Sequence, residues 1–190
     1  MLGVALLSTM VLAQGTGDVF QVGYAANLAA GDSVVNLTSA GTEGGFDPAG
    51  DICANVYVFA EDQQLIACCT CPLTPNHLKT LSVQKDLISN TLTPGVPIGV
   101  TIAVFASTDK VCNAAAILAT GASGLRAWGT TLHAAPGGGF AVTEVPYSPA
   151  DVSPTEFRKL VDYCGFIQAN GSGFGICGSC RQGAAGAAKQ

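Results

Sequence analysis

Read for its alternation of apolar and polar positions, the chain is a series of short strand-like runs separated by turns rich in glycine and proline. Asp18 to Leu28 (DVFQVGYAANL) and Ser33 to Thr38 (SVVNLT) are the first two, with Gly31-Asp32 supplying the turn between them. Cys53 to Ala60 and Gln64 to Cys71 read as a hairpin about Glu61-Asp62-Gln63. Val56, Val58 and Ala60 share one face of the first of these, and Tyr57 and Phe59 the other. Both faces are apolar, so this strand is expected at the centre of a sheet covered on both sides. Pro72 and Pro75 are expected to end its partner, because neither ring can donate to a ladder. Leu78 to Leu87 alternates again through Leu81 and Val83, and Ser89 to Pro97 reads as a turn-rich connection. Ile98 to Ala106 (IGVTIAVFA) is the most strand-like run of all, rich in β-branched residues. Leu125 to Ala134 and Phe140 to Val145 form a second expected hairpin through Ala135-Pro136-Gly137-Gly138-Gly139, while Cys112 to Gly121 suits a short helix and a loop equally.

One segment changes period. Ser153-Pro154-Thr155-Glu156 places a capping serine, a proline at the first helical position and a glutamate where a capping box needs it. Phe157, Leu160, Val161, Cys164 and Ile167 or Gln168 then recur at helical spacing, which predicts a helix over about 154–168 with one apolar face for docking on a sheet. It is expected to stop near Asn170-Gly171. The pattern as a whole predicts a mostly-β fold: an antiparallel β-sandwich, Ig-like or jelly-roll-like, with one C-terminal α-helix.

Composition sharpens this. Charged residues are 11% of the chain against 48% apolar, so disorder is disfavoured, and a net charge of −5 with no basic cluster argues against nucleic acid and anionic membrane surfaces. Met1 to Ala13 (MLGVALLSTMVLA) is an apolar run too short to span a bilayer and ends in a small residue, as a secretory leader does; an apolar core strand is the competing reading. The expected organisation is a signal peptide at 1–13, one secreted domain over 14–180 and a tail at 181–190 that frays. Cys53, Cys68, Cys69, Cys71, Cys112, Cys164, Cys177 and Cys180 make an even set, which in an exported chain favours disulfides. Adjacent residues in a strand point to opposite faces, so Cys68 and Cys69 are expected to bond to different partners. We expect Cys164 to pair with Cys177 or Cys180, and one of the Cys68 to Cys71 cluster with Cys53 or Cys112.

Candidate chemistry is sparse. A nucleophile needs a base, and only His77 and His133 are present, neither beside a serine elbow. Cys177-Gly178-Ser179-Cys180 has redox or half-zinc spacing but follows the helix instead of opening one. Gly173 to Gly178 satisfies G-x-G-x-x-G without the strand and helix that dinucleotide binding requires. Glu43, Asp47 and Asp51 in a glycine-rich loop offer oxygens without an EF-hand spacing. Glu144 and Glu156 do not announce an acid–base pair. Asn36-Leu37-Thr38 and Asn170-Gly171-Ser172 fit glycosylation acceptors. Tyr57, Trp128 and Tyr147 are candidates for a sugar platform, with core packing the simpler reading. No cofactor, metal or catalytic residue is expected.

Three blocks carry a resemblance: Asn55-Val56-Tyr57-Val58-Phe59 with CCTCPLTPN at 68–76; DLISNTLTP at 86–94 with AWGTTLH at 127–133; and CGFIQANGSGFGIC at 164–177. Over most of the mature chain they resemble a group of secreted bacterial proteins of unknown function, which implies bacterial export and nothing about activity. The expected role is structural: an exported subunit of an extracellular or cell-surface assembly, such as a filament, built through strand edges as a homo-oligomer or polymer. A secreted carbohydrate- or ligand-binding module is the alternative, and a secreted hydrolase using His133 or His77 ranks third.

Overall fold

The computed structural model describes residues 18–45, 49–89, 95–118, 120–172 and 177–180. The expected leader at 1–13 and tail at 181–190 lie outside them. The elements are β1 (Phe20–Ala25), β2 (Val34–Ser39), β3 (Ile52–Phe59), β4 (Leu65–Leu73), β5 (Leu78–Ser82), β6 (Val100–Ser107), β7 (Leu125–Ala134), β8 (Phe140–Pro146), β9 (Ser148–Pro149) and α1 (Pro154–Ile167). The strands form a five-stranded sheet in the order β4-β3-β6-β1-β9 and a four-stranded sheet in the order β5-β2-β7-β8, with every strand pairing antiparallel. The protein is therefore an antiparallel β-sandwich with one C-terminal helix, as the pattern predicts.

Alternation decides what each face meets. Ala54, Val56 and Val58 of β3 join Ile102 and Val104 of β6 and Val35, Leu37, Leu81 and Leu125 of the opposing sheet in the core between the sheets. The opposite face of β3 sends Tyr57 into a second layer with Phe20, Phe105 and Leu160, Cys164 and Ile167 of α1. Phe105 and Phe157 stack there with ring centroids 4.7 Å apart. So β3 is covered on both sides, and the molecule has three layers: helix, five-stranded sheet, four-stranded sheet. Ser153 Oγ caps α1 by accepting from Glu156 N at 3.1 Å.

Four disulfides tie the layers: Cys53–Cys112, Cys68–Cys164, Cys69–Cys177 and Cys71–Cys180, leaving no free cysteine. Cys68 and Cys69 do part company, one facing α1 and the other the space between the sheets. The pairing expected for Cys164 is corrected. Leu160, Cys164 and Ile167 lie on the helix face against the sheet, so Cys164 sits over Cys68 and not near the C-terminal cysteines. The expected link from the Cys68–Cys71 cluster to Cys53 or Cys112 is also overturned, because Cys53 and Cys112 bond to each other.

Other expectations shift. The runs at 18–28 and 33–38 are strands, but β1 and β2 enter different sheets, so Gly31-Asp32 lies in a crossing between sheets and makes no hairpin. Pro72 lies inside β4 and does not end it. Residues 112–118, 120 and 121 contain no helix. Beyond Ser82 the alternating run closes into a π turn at Val83–Leu87, where Ser82 Oγ accepts from Lys85 N at 2.9 Å.

Candidate functional site

The two histidines lie in different surroundings. His77 is exposed in the turn after Pro75, where its backbone N–H donates to Thr74 O. His133 lies in a cleft of about 160 Å³ between β1 and the β7–β8 hairpin, with Nδ1 3.2 Å from Asn27 Nδ2 and Nε2 2.7 Å from Thr143 Oγ1. Nδ1 thus faces the Asn27 amide and Nε2 the Thr143 hydroxyl, the direction of each bond following the ring's tautomer. The pair of bonds holds the hairpin against the β1–β2 crossing.

The proposed sugar platform is not assembled. Tyr57 is 0% and Tyr147 5% exposed, and burial pushes both phenols above the usual tyrosine range. Tyr57 donates its hydroxyl to Ala114 O at 2.8 Å inside the helix-side layer. Tyr147 lies between the sheets, and Trp128 is half-buried on β7. Asn36, part of the first glycosylation pattern, is buried with its amide engaged on both sides. Glu43 accepts from the backbone and hydroxyl of Ser123 at 2.7 and 3.0 Å, while Asp47 lies outside the described residues. Glu156 pairs with Lys159 on the helix surface at 3.4 Å. The sulfurs of Cys71, Cys177 and Cys180 lie within 4.8 Å of one another, but each belongs to a disulfide, and a metal needs thiolates.

What the fold does present is a contrast among its sheet edges. Backbone groups of an edge strand alternate, one residue bonding inward and the next facing out. On β4 the outward set includes Thr70 and Pro72, since Thr70 O accepts from Cys177 N at 3.0 Å beyond the sheet. The missing N–H of Pro72 therefore points where no ladder bond is needed. On β5 two outward groups are also met: Thr80 O accepts from Ser179 Oγ at 3.4 Å, and Ser82 N donates to Asp86 at 2.8 Å. Lys79 Nζ adds a bond to Ser179 O at 2.7 Å. The segment Cys177–Cys180 thus straps the β4 and β5 edges together, and two disulfides staple it to β4.

On the opposite side the chain passes from β8 into β9 at Tyr147, leaving one sheet for the other. Tyr147 N donates to Ala127 O at 2.9 Å as the last β8–β7 bond. Beyond that point the Gln21 side chain of β1 takes over the β7 edge, donating to Leu125 O at 2.7 Å and accepting from Ala127 N at 3.1 Å. β9 is two residues long, and Pro149 is its outward residue.

β8 remains. The Ala127–Tyr147 bond sets its parity: Ala141, Thr143 and Val145 bond to β7, and Phe140, Val142, Glu144 and Pro146 face out. All seven residues are exposed, Phe140 by 58% and Val142 by 57%. Glu144 ends a one-way chain of side-chain hydrogen bonds across the sheet: Thr80 Oγ1 to Asn36 Oδ1 (2.8 Å), Asn36 Nδ2 to Thr130 Oγ1 (3.2 Å), Thr130 Oγ1 to Glu144 Oε1 (3.2 Å). The hairpin is legible in the sequence, and this edge is not. The spacing of Pro146 after an alternating run was the available signal, and its meaning depends on knowing which residues face β7.

Fold and edges together define a class: a helix-backed, disulfide-locked β-sandwich that occupies part of its β4 and β5 edges, ends the β9 edge after two residues, and leaves the β8 edge unpaired among the described residues. Compared with family models, curated proteins and solved structures, the chain matches none.

Proposed function

We propose that the protein is an exported structural subunit of an extracellular or cell-surface assembly, joined to its neighbours through a strand edge. The observation that carries this reading is β8, a seven-residue edge strand exposed on both faces and, among the described residues, unblocked along most of its length, while the β4 and β5 edges are partly occupied by the Cys177–Cys180 segment. Unpaired strand edges are templates for another strand, and proteins that gain nothing from them blunt them. Two further features support it. All eight cysteines are paired, which suits an oxidising compartment, and no helix among the described residues is long and apolar enough to cross a membrane. The surface carries few charges to oppose self-association, with Tyr24, Ile98, Val111, Leu118 and Phe166 exposed besides β8. The resemblance of the three sequence blocks to exported bacterial proteins agrees with this compartment.

The test is sedimentation velocity on non-reduced protein across a wide concentration range, with electron microscopy of the concentrated samples. Discrete oligomers or ordered polymers are expected. A species that stays monomeric at the highest concentration would overturn the reading.

A further inference from the structure

We infer that the occupant of the β8 edge is the β8 strand of a second copy, antiparallel across a two-fold axis centred on Val142. The inference rests on the assembly reading above and adds the partner, the symmetry and the register.

Only Phe140, Val142 and Glu144 present both an N–H and a C=O to the edge, because Pro146 shares their parity and has no N–H. In an antiparallel ladder each hydrogen-bonded pair exchanges both of its bonds. Centring the pairing on Val142 puts Val142 opposite Val142 of the second copy and Phe140 opposite Glu144, so every complete donor–acceptor residue is used and Pro146 falls outside the paired run. Moving the centre to Thr143 puts Phe140 opposite Pro146 and forfeits its bonds. Moving it to Ala141 leaves Glu144 opposite the glycine turn.

Side chains favour the same arrangement. Phe140, Val142 and Glu144 share the outer face, Glu144 being tied there by Thr130. In the Val142-centred register the two Glu144 carboxylates are not neighbours, and like charges directly opposite are destabilising. Each lies beside a phenylalanine, and the two Val142 side chains meet at the axis, a β-branched pair of the kind sheets favour. The strand is also held ready. His133 fixes Thr143 from the cleft side, and the β7 ladder fixes alternate residues, so little backbone freedom is lost when the edge is filled. An isologous contact of this kind closes on itself, which makes a two-fold dimer the unit it builds.

The experiment is sedimentation velocity on wild type, Val142→Pro and Val142→Thr, each with its disulfides intact and its β circular dichroism checked. Val142→Pro removes one outward N–H at a parity where Pro146 shows the strand accepts the ring; Val142→Thr keeps both that N–H and the β-branched shape. The expected result is a dimer for wild type and Val142→Thr and a monomer for Val142→Pro. Should Val142→Pro misfold, backbone hydrogen exchange on wild type decides the matter. Amides of Phe140, Val142 and Glu144 are expected to gain protection as concentration rises, while those of Ala141, Thr143 and Val145 are protected throughout. An assembled wild type whose three outward amides exchange freely, or whose assembly survives Val142→Pro, overturns this inference and leaves the assembly reading standing. A monomeric wild type overturns both.

Discussion

Tyr147 shows how much one position can carry. It is the residue at which the chain leaves one sheet for the other, and its ring fills the gap beside Gly23 of β1 and Gly129 of β7. A Cβ on Gly23 would run into the ring itself, whereas one on Gly129 would stand at 3.4 Å, ordinary contact. Gly23 is therefore required for space, not for backbone freedom. Gly23→Ala is expected to cost about 1–3 kcal/mol by overpacking. Gly95→Ala, where an added methyl meets nothing within 4 Å, is expected to stay within about 0.5 kcal/mol of wild type. Urea unfolding of the two variants with disulfides intact measures the difference. Nothing in the sequence singles out Gly23 among 24 glycines, because its need comes from a ring more than a hundred positions away.

Among the elements, α1 is the most legible and the least self-sufficient. Its cap and apolar spacing are local, so Ser153, Leu160 and Cys164 could be placed from the chain alone. What it covers was not local: the sulfur at Cys164 finds Cys68, 96 positions away, while the neighbouring Cys69 turns to the other face. Removing that link by Cys68→Ser with Cys164→Ser leaves the helix only its apolar face to hold it. Because Cys69–Cys177 stays closed in that variant, the link removed closes a loop of only about 15 residues, and the chain-entropy account gives an expected loss of about 3 kcal/mol, read from guanidinium unfolding of the double variant against wild type. The prolines make the same point. Pro72 was expected to stop β4 because a ring cannot donate, yet it sits inside an edge strand with its missing donor turned outward. The chemistry was read correctly, and only the strand's position in the sheet decided its consequence.

For the whole molecule, the economy lies in how the sandwich closes. The strap at Cys177–Cys180 bridges the β4 and β5 edges on one side, Gln21, Tyr147 and the short β9 occupy most of the other, and among the described residues β8 is left. Cys177→Ser with Cys180→Ser unfastens the strap, so the outward groups of Thr70 and Thr80 lose their partners. The expected outcome is a folded sandwich that aggregates through its β4 and β5 edges. Light scattering would rise with concentration, and Cys69 and Cys71 would become reactive to thiol reagents; a soluble variant behaving like wild type would show that the strap does not guard those edges. The sequence by itself determined the strands, the helix, the sandwich class and the opposition of Cys68 to Cys69, because periodicity, capping and side-chain alternation act over a few residues. Which strands are edges, which cysteines meet and which edge stays open among the described residues follow from the assembled fold. Those depend on contacts between segments far apart in the chain, and no local pattern records which neighbour a strand will find.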